Sequence, residues 1–217
     1  MKIQEFAPKD HWIKAVIYGA SGVGKTTFAS TAPNPVYASA ENGLLSIAKL
    51  RPKNVDIKTK KDLLDLRDYL KAQKHDFQTV IIDSITEIND IIKQEIEKKT
   101  GKPMQLQDWG TLSREIKNIF RSFRDLPMHV IFIAQETTEK DEEKIHRIVP
   151  SLNGKSATEI AYFMDIVGYI YCDKQGTRHI ITSTNERYLT KDRSNCIGNS
   201  TDPSFGTWVE KVQDMEI

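Results

Sequence analysis

Hydrophobic positions along the chain follow two alternating rhythms. Short runs are apolar at every position: Ala15-Val16-Ile17-Tyr18, Val36-Tyr37-Ala38, Val80-Ile81-Ile82 and Val130-Ile131-Phe132-Ile133-Ala134. Such runs suit strands buried on both faces of a sheet, the environment of a parallel sheet covered by helices. Between them apolar residues recur at helical spacing, in Leu63, Leu66 and Leu70, in Ile85, Ile88, Ile92 and Ile96, and in Leu112, Ile116, Ile119, Phe120 and Phe123. Strand and helix alternating in this way predict an α/β fold with a largely parallel central sheet flanked by helices. Later, Asp165–Tyr171 and Arg178–Ser183 face each other around Lys174-Gln175-Gly176, which predicts a C-terminal antiparallel hairpin.

Punctuation residues set the remaining bounds. Pro33 and Pro35 end a helix running from Thr27 to about Thr31. A short helix (Leu44 to Leu50), the turn Arg51-Pro52-Lys53-Asn54 and a strand around Val55-Asp56-Ile57 follow. Thr59 with Asp62 resembles a capping box. The helix holding Ile85 to Ile96 ends before Gly101, residues 101–110 read as a long loop, and the next helix runs from about Thr111 to Leu126. Residues 137–154 are charged, lack a core pattern and read in part as a hairpin. Ser156 to Met164 suits a helix, and Arg187–Thr190 a last short strand. The tail from Ser194, with Pro203, Gly206 and Trp208, is expected to pack on the body or on a neighbouring subunit.

Composition narrows the class. A chain of 217 residues, 39% apolar, fits a single α/β domain over 1–217, with its core at about 12–195 and a tail at 196–217. Lys+Arg 31 against Asp+Glu 30 leaves a net charge of +1, so nucleic acid or an anionic surface would have to be met by a local patch. Arg114, Lys117, Arg121 and Arg124 form such a stripe on one helix face, as a solvated face or as a nucleic-acid surface. Cys172 and Cys196 form no metal spacing or disulfide framework, and no apolar run approaches a membrane span. The N-terminus lacks a signal-peptide core, and the cytoplasm is the expected location.

The chemistry is concentrated at Gly19-Ala20-Ser21-Gly22-Val23-Gly24-Lys25-Thr26, followed by Thr27. This is G-x-x-x-x-G-K-T between a buried strand and the start of a helix, the context in which backbone N–H groups cradle a polyphosphate. Lys25 is expected to reach the β- and γ-phosphates of ATP, and the Thr26 hydroxyl to ligate Mg²⁺. Asp83, closing the run Thr79-Val80-Ile81-Ile82, is the expected second Mg²⁺ ligand. Trp12, just before the first strand, would cover the base or fill the edge of the core.

The order of these landmarks over roughly residues 12–195 resembles the RecA-like phosphate-loop ATPase core. It is most similar to small phage nucleotide-binding proteins that include the Sak-type single-strand annealing recombinases. The resemblance implies that Glu41, after Tyr37-Ala38-Ser39-Ala40, polarises the attacking water, the alternative being an exposed acid at a strand end. It implies that Gln135, after Ile133-Ala134, senses the γ-phosphate, the alternative being a polar strand cap. It implies that Lys191 and Arg193 reach the nucleotide of an adjacent subunit, the alternative being a basic turn after an edge strand. It places DNA-binding loops around Met104 and Trp109 and at 136–154, with core packing the competing account of Trp109. The implied function is ATP hydrolysis by a homo-oligomer that binds single-stranded DNA and promotes annealing or recombination, with a phage single-strand-binding protein among its partners. A nucleotide switch for a partner protein, in helicase loading or packaging, is the alternative. A small-molecule kinase is a third reading, set back by acids at least as numerous as bases over 137–147. The chain departs from the pattern in lacking a polymerisation motif and an accessory DNA-binding domain.

Overall fold

Residue patterning in the first half of the chain translates directly into structure. The computed structural model describes residues 7–41, 43–140, 146–153 and 156–215. In order, the elements are β1 (Lys14–Gly19), α1 (Lys25–Ala29), β2 (Pro35–Ser39), a 3₁₀ turn (Gly43–Leu50), β3 (Lys53–Asp56), α2 (Lys60–Lys71), β4 (Thr79–Asp83) and α3 (Ile85–Thr100). Then come α4 (Leu106–Arg124), β5 (His129–Lys140), β6 (His146–Pro150), α5 (Ser156–Phe163), β7 (Ile166–Cys172), β8 (Arg178–Ile181), β9 (Lys191–Asp192), β10 (Ser200–Thr201) and α6 (Phe205–Gln213). Strands β3-β2-β4-β5-β1-β7 run parallel, and β8 then β10 continue the sheet antiparallel beyond β7. The expected parallel sheet with a C-terminal antiparallel hairpin is what forms.

Alternation along each strand divides the core into two layers. Ala15 and Ile17 of β1, Ile131 and Ile133 of β5 and Ile170 of β7 pack on α1 and α6, where Phe28 meets Trp208 at 4.9 Å between ring centroids. Val16, Tyr18, Val130 and Phe132 face α2, α3, α4 and α5, and Phe132 stacks on Phe120 at 4.1 Å. The tail thus packs on the body: Ile197, Phe205, Trp208, Val209 and Val212 are all buried in the first layer. Trp12, 36% exposed, lies edge-on to His129 at the N-terminal end of β1, an edge-of-core position away from the phosphate loop.

Several segments differ from their expected form; Lys53 and Asn54, expected in a turn, already belong to β3, and the tail forms α6. Residues 106–110 are not loop but the opening of α4, because Asp108 accepts the Gln105 N–H (2.9 Å) in a capping box. The first helical residue, Leu106, is 91% exposed, so the start of α4 carries no apolar periodicity. The strand after α4 runs on past Ala134 to Lys140, because β6 pairs with it from Glu136↔Pro150 to Lys140↔His146. The expected hairpin within 137–154 is therefore present, with 141–145 outside the described residues. Arg187–Thr190 forms only a bridge between Tyr188 and Ile148, and the paired residues are the next two, Lys191 and Asp192, against β7. Among the described residues no helix is long and apolar enough to cross a membrane.

Candidate active site

Parallel register brings the C-terminal ends of four strands together. Ser39 of β2 lies opposite Asp83 of β4, Asp83 opposite Ile133 of β5, and Gly19 of β1 opposite Gln135 of β5. Residues that follow these strand ends must emerge into one crevice, the place where open α/β sheets bind ligands.

The phosphate loop leaves β1 at Gly19, where a side chain would run into the Ile170 carbonyl of β7. Ala20, Ser21 and Gly22 are exposed, whereas Val23, Gly24, Lys25, Thr26 and Thr27 are half-buried. Lys25 Nζ donates to the Gly19 and Ala20 carbonyls at 2.9 and 2.7 Å, so its ammonium already sits inside the loop. Thr26 Oγ1 donates to Asp83 Oδ2 at 2.8 Å, placing two hard oxygen donors side by side. Burial pushes the Asp83 carboxyl above its ordinary value, and the Glu41 charge adds to this, while Thr26 and Lys25 oppose it. Burial likewise pushes Lys25 down, against the pull of Glu41 and Asp83. A buried carboxylate beside a hydroxyl is short of positive charge, and these donors fit Mg²⁺.

Glu41, exposed two residues beyond β2, is tied in from two sides. The Ser84 hydroxyl donates to Glu41 Oε1, and Gln135 Nε2 donates to the same oxygen at 3.3 Å. Ser84 is the N-cap of α3 and accepts the Glu87 N–H (3.3 Å), which leaves its own O–H free to point at Glu41. The sequence reading did not single out Ser84. The signal available was Ser84-Ile85-Thr86-Glu87, a capping signature directly after Asp83. Thr86 was missed as well: its hydroxyl accepts the Gln135 N–H (3.0 Å) and donates to the Ser151 carbonyl (3.3 Å). Ser151 N–H in turn donates to Gln135 O at 2.7 Å, so the point where β5 leaves the sheet is anchored to α3 and to the chain after β6.

A sequence profile of the AAA domain matches residues 11–194, most of the chain. The chain belongs to the AAA domain family. The AAA domain is a nucleotide-binding domain of the ATPase type. No curated protein matches the chain.

Other expected residues of this AAA domain lie elsewhere. Lys191 and Arg193 sit at the N-terminal end of β7, where Ile166 opposes Asp192, at the far end of the strands from the phosphate loop. Lys191 Nζ donates to the Ala161 and Met164 carbonyls (2.9 and 2.8 Å), closing the C-terminal end of α5. Arg193 donates to Asp165 Oδ1 (3.3 Å) and the Tyr162 carbonyl (3.1 Å). The chain therefore does not bring either cation to its own phosphate loop. Trp109 lies on α4, 39% exposed, with Lys93 Nζ 5.7 Å from its ring centroid, and Met104 is half-buried against the core. Of the basic stripe on α4, Arg114 and Arg121 are exposed, as a solvated face would be, and Lys117 and Arg124 are half-buried. Lys117 pairs with Glu159 of α5 at 2.8 Å, and the Arg121 and Arg124 guanidinium groups lie 4.8 and 5.8 Å from the Phe163 ring centroid.

Proposed function

We propose that this AAA domain is a Mg²⁺-dependent ATPase that transmits its nucleotide state into the β5–β6 hairpin and acts, as an oligomer, on single-stranded DNA in annealing or recombination. The observation that carries the reading is the shared Glu41 oxygen. Gln135, the residue at which β5 leaves the sheet, and Ser84, the cap of α3, both donate to it.

Lys25 neutralises the β- and γ-phosphates from inside the loop, and Thr26 and Asp83 would hold Mg²⁺. The bound ion supplies further charge neutralisation to the phosphates. Glu41 orients the attacking water and takes its proton, with Ser84 fixing the carboxylate. Gln135 can turn its amide from Glu41 to the γ-phosphate, and the change passes along β5 into the hairpin. Steady-state phosphate release tests the assignment. Glu41→Gln should keep ATP binding and lose turnover by roughly 10²–10⁴-fold. Normal turnover in that variant would place the base elsewhere. Stimulation of turnover by single-stranded DNA tests the target.

A second reading, a nucleotide switch that engages a partner protein, is favoured by the fate of the basic stripe. Lys117, Arg121 and Arg124 are turned onto α5, and the hairpin carries Glu136 and Glu139 beside Lys140 and Arg147. Turnover indifferent to DNA would select it. A role for Lys191 and Arg193 at a neighbouring subunit's nucleotide would require leaving their present bonds. Mixing inactive Lys25→Ala with inactive Lys191→Ala/Arg193→Ala tests it, because recovered activity requires a shared site.

A further inference from the structure

A cation that the sequence did not suggest lies against the phosphate loop. Arg178 opens β8, opposite Cys172 of β7, and strand alternation places it on the same face as Ile180. Ile180 packs in the layer with Ile17, Phe28 and Ile170, the layer that contains α1. The Arg178 side chain consequently runs along the phosphate-loop face of the sheet. It ends over Gly24: a Cβ built there would lie 2.7 Å from Arg178 Cδ and 3.1 Å from Cζ, with Nε closer still. Gly24 has φ 96°, a backbone conformation that favours glycine, and the arginine occupies the space that a side chain there would enter.

The electrostatics make the placement informative. Among the described residues the Arg178 guanidinium has no hydrogen-bond or ion-pair partner, and the residue is exposed. Arg193, by contrast, is held by Asp165. Arg178 instead rests on Gly24, the residue before Lys25, with its planar donor set open to a ligand. A polyphosphate seated in the loop supplies the missing acceptors, because a guanidinium fork matches phosphate oxygens in two parallel hydrogen bonds.

We propose that Arg178 is a nucleotide-binding residue delivered from within the same chain, its guanidinium closing over the polyphosphate from the β8 side of the loop. The inference rests on the reading of Gly19–Thr26 as a nucleotide site. Arg178 acts on ground-state binding, so it contributes to ADP and ATP alike.

The test measures affinity of the full chain for fluorescent ADP and a non-hydrolysable ATP analogue in wild type, Arg178→Ala, Arg178→Lys and Lys25→Ala. Arg178→Ala should weaken both nucleotides by about 10- to 100-fold, the worth of a charge-assisted hydrogen bond or two. Arg178→Lys should recover part of the loss. The melting temperature without nucleotide should stay at the wild-type value, because among the described residues the side chain has no hydrogen-bond or ion-pair partner to lose. Wild-type affinity in Arg178→Ala, with Lys25→Ala defective, overturns the role of Arg178 and leaves the nucleotide site standing. Absence of nucleotide binding in wild type overturns both readings.

Discussion

The two ends of the parallel strands treat polar groups in opposite ways. At the N-terminal ends they are closed off by the chain itself. Lys14, 8% exposed, donates from Nζ to the Leu126 carbonyl at 2.7 Å and also to that of Met128. His129 Nδ1 accepts the Ile13 N–H at 3.0 Å, and Asp165 accepts the Lys14 N–H at 2.9 Å while pairing with His11 and Arg193. At the C-terminal ends, Glu41, Gln135 and Arg178 are exposed, and among the described residues Lys25 donates only to the carbonyls of its own loop. Chemistry needs polar capacity that a ligand can claim, and among the described residues the second end has more of it. Both ends hold perturbed groups, so perturbation alone does not mark the site. Burial moves Lys14 down to about 8 and His129 down to about 4, in a network that the fold completes by itself.

Substitutions can break this contrast, beginning at the crevice. Lys25→Ala and Asp83→Asn should each lower ATP turnover by roughly 10²-fold or more, read as phosphate release. Their stability should not follow. Burial makes Asp83 easier to protonate in the folded chain, so its stabilising contribution is present below the ordinary carboxylate pKa and lost as pH rises through the raised one. Ionised Asp83 thus weakens the fold at neutral pH, and Asp83→Asn should melt above wild type in the absence of nucleotide. A variant that loses both turnover and stability would make the crevice structural after all.

At the opposite end the signature is pH. His129 titrates at about 4 in the folded chain against 6.5 when unfolded, chiefly because it is desolvated and secondarily because of Lys14. Its contribution is full above pH 6.5 and is lost as pH falls toward 4. The loss should approach about 3 kcal/mol, measured by urea unfolding across that window. In His129→Gln this component should vanish. A smaller effect is expected at Lys191, whose two hydrogen bonds close α5. Lys191→Met should lower stability by about 1–2 kcal/mol in the same assay. Unchanged stability with reduced turnover would instead return Lys191 to the nucleotide chemistry. Smallest is Trp109→Ala, where loss of the Lys93 contact should cost about 1 kcal/mol or less. Its DNA binding, measured by titration, can then be judged on a folded protein.

Local signals were read correctly where the physics is local. The Thr59–Asp62 box caps α2, with the Asp62 N–H donating to Thr59 Oγ1 at 3.2 Å and Asp62 accepting the Thr59 N–H at 2.8 Å. Gly101 closes α3 with φ 68°. The opening turns of α4 were missed because their stabilisation comes from Gln105 and Asp108 rather than from an apolar stripe. The outer half of β5 was expected as one arm of a hairpin but not as a continuation of the buried strand, because its partner β6 supplies the pairing there.

The sequence alone determined the α/β class, the phosphate loop and the pairing of Thr26 with Asp83. Each of these rests on a short pattern whose geometry the backbone enforces: a buried strand, a glycine turn, an acid at a strand end. Tertiary structure decided that Glu41, Ser84 and Gln135 meet at one oxygen, since register across β2, β4 and β5 spans 94 residues of chain. It also decided which cations end beside the phosphate loop. Lys191, Arg193 and Arg178 are all basic residues of the C-terminal third, alike in sequence terms. Antiparallel pairing turns β8 so that Arg178 ends over Gly24, and sets β9 at the foot of β7, where Lys191 and Arg193 find carbonyls and Asp165 instead. The end of the sheet at which a charge emerges is fixed by strand direction and register, and neither is written in the residues around it.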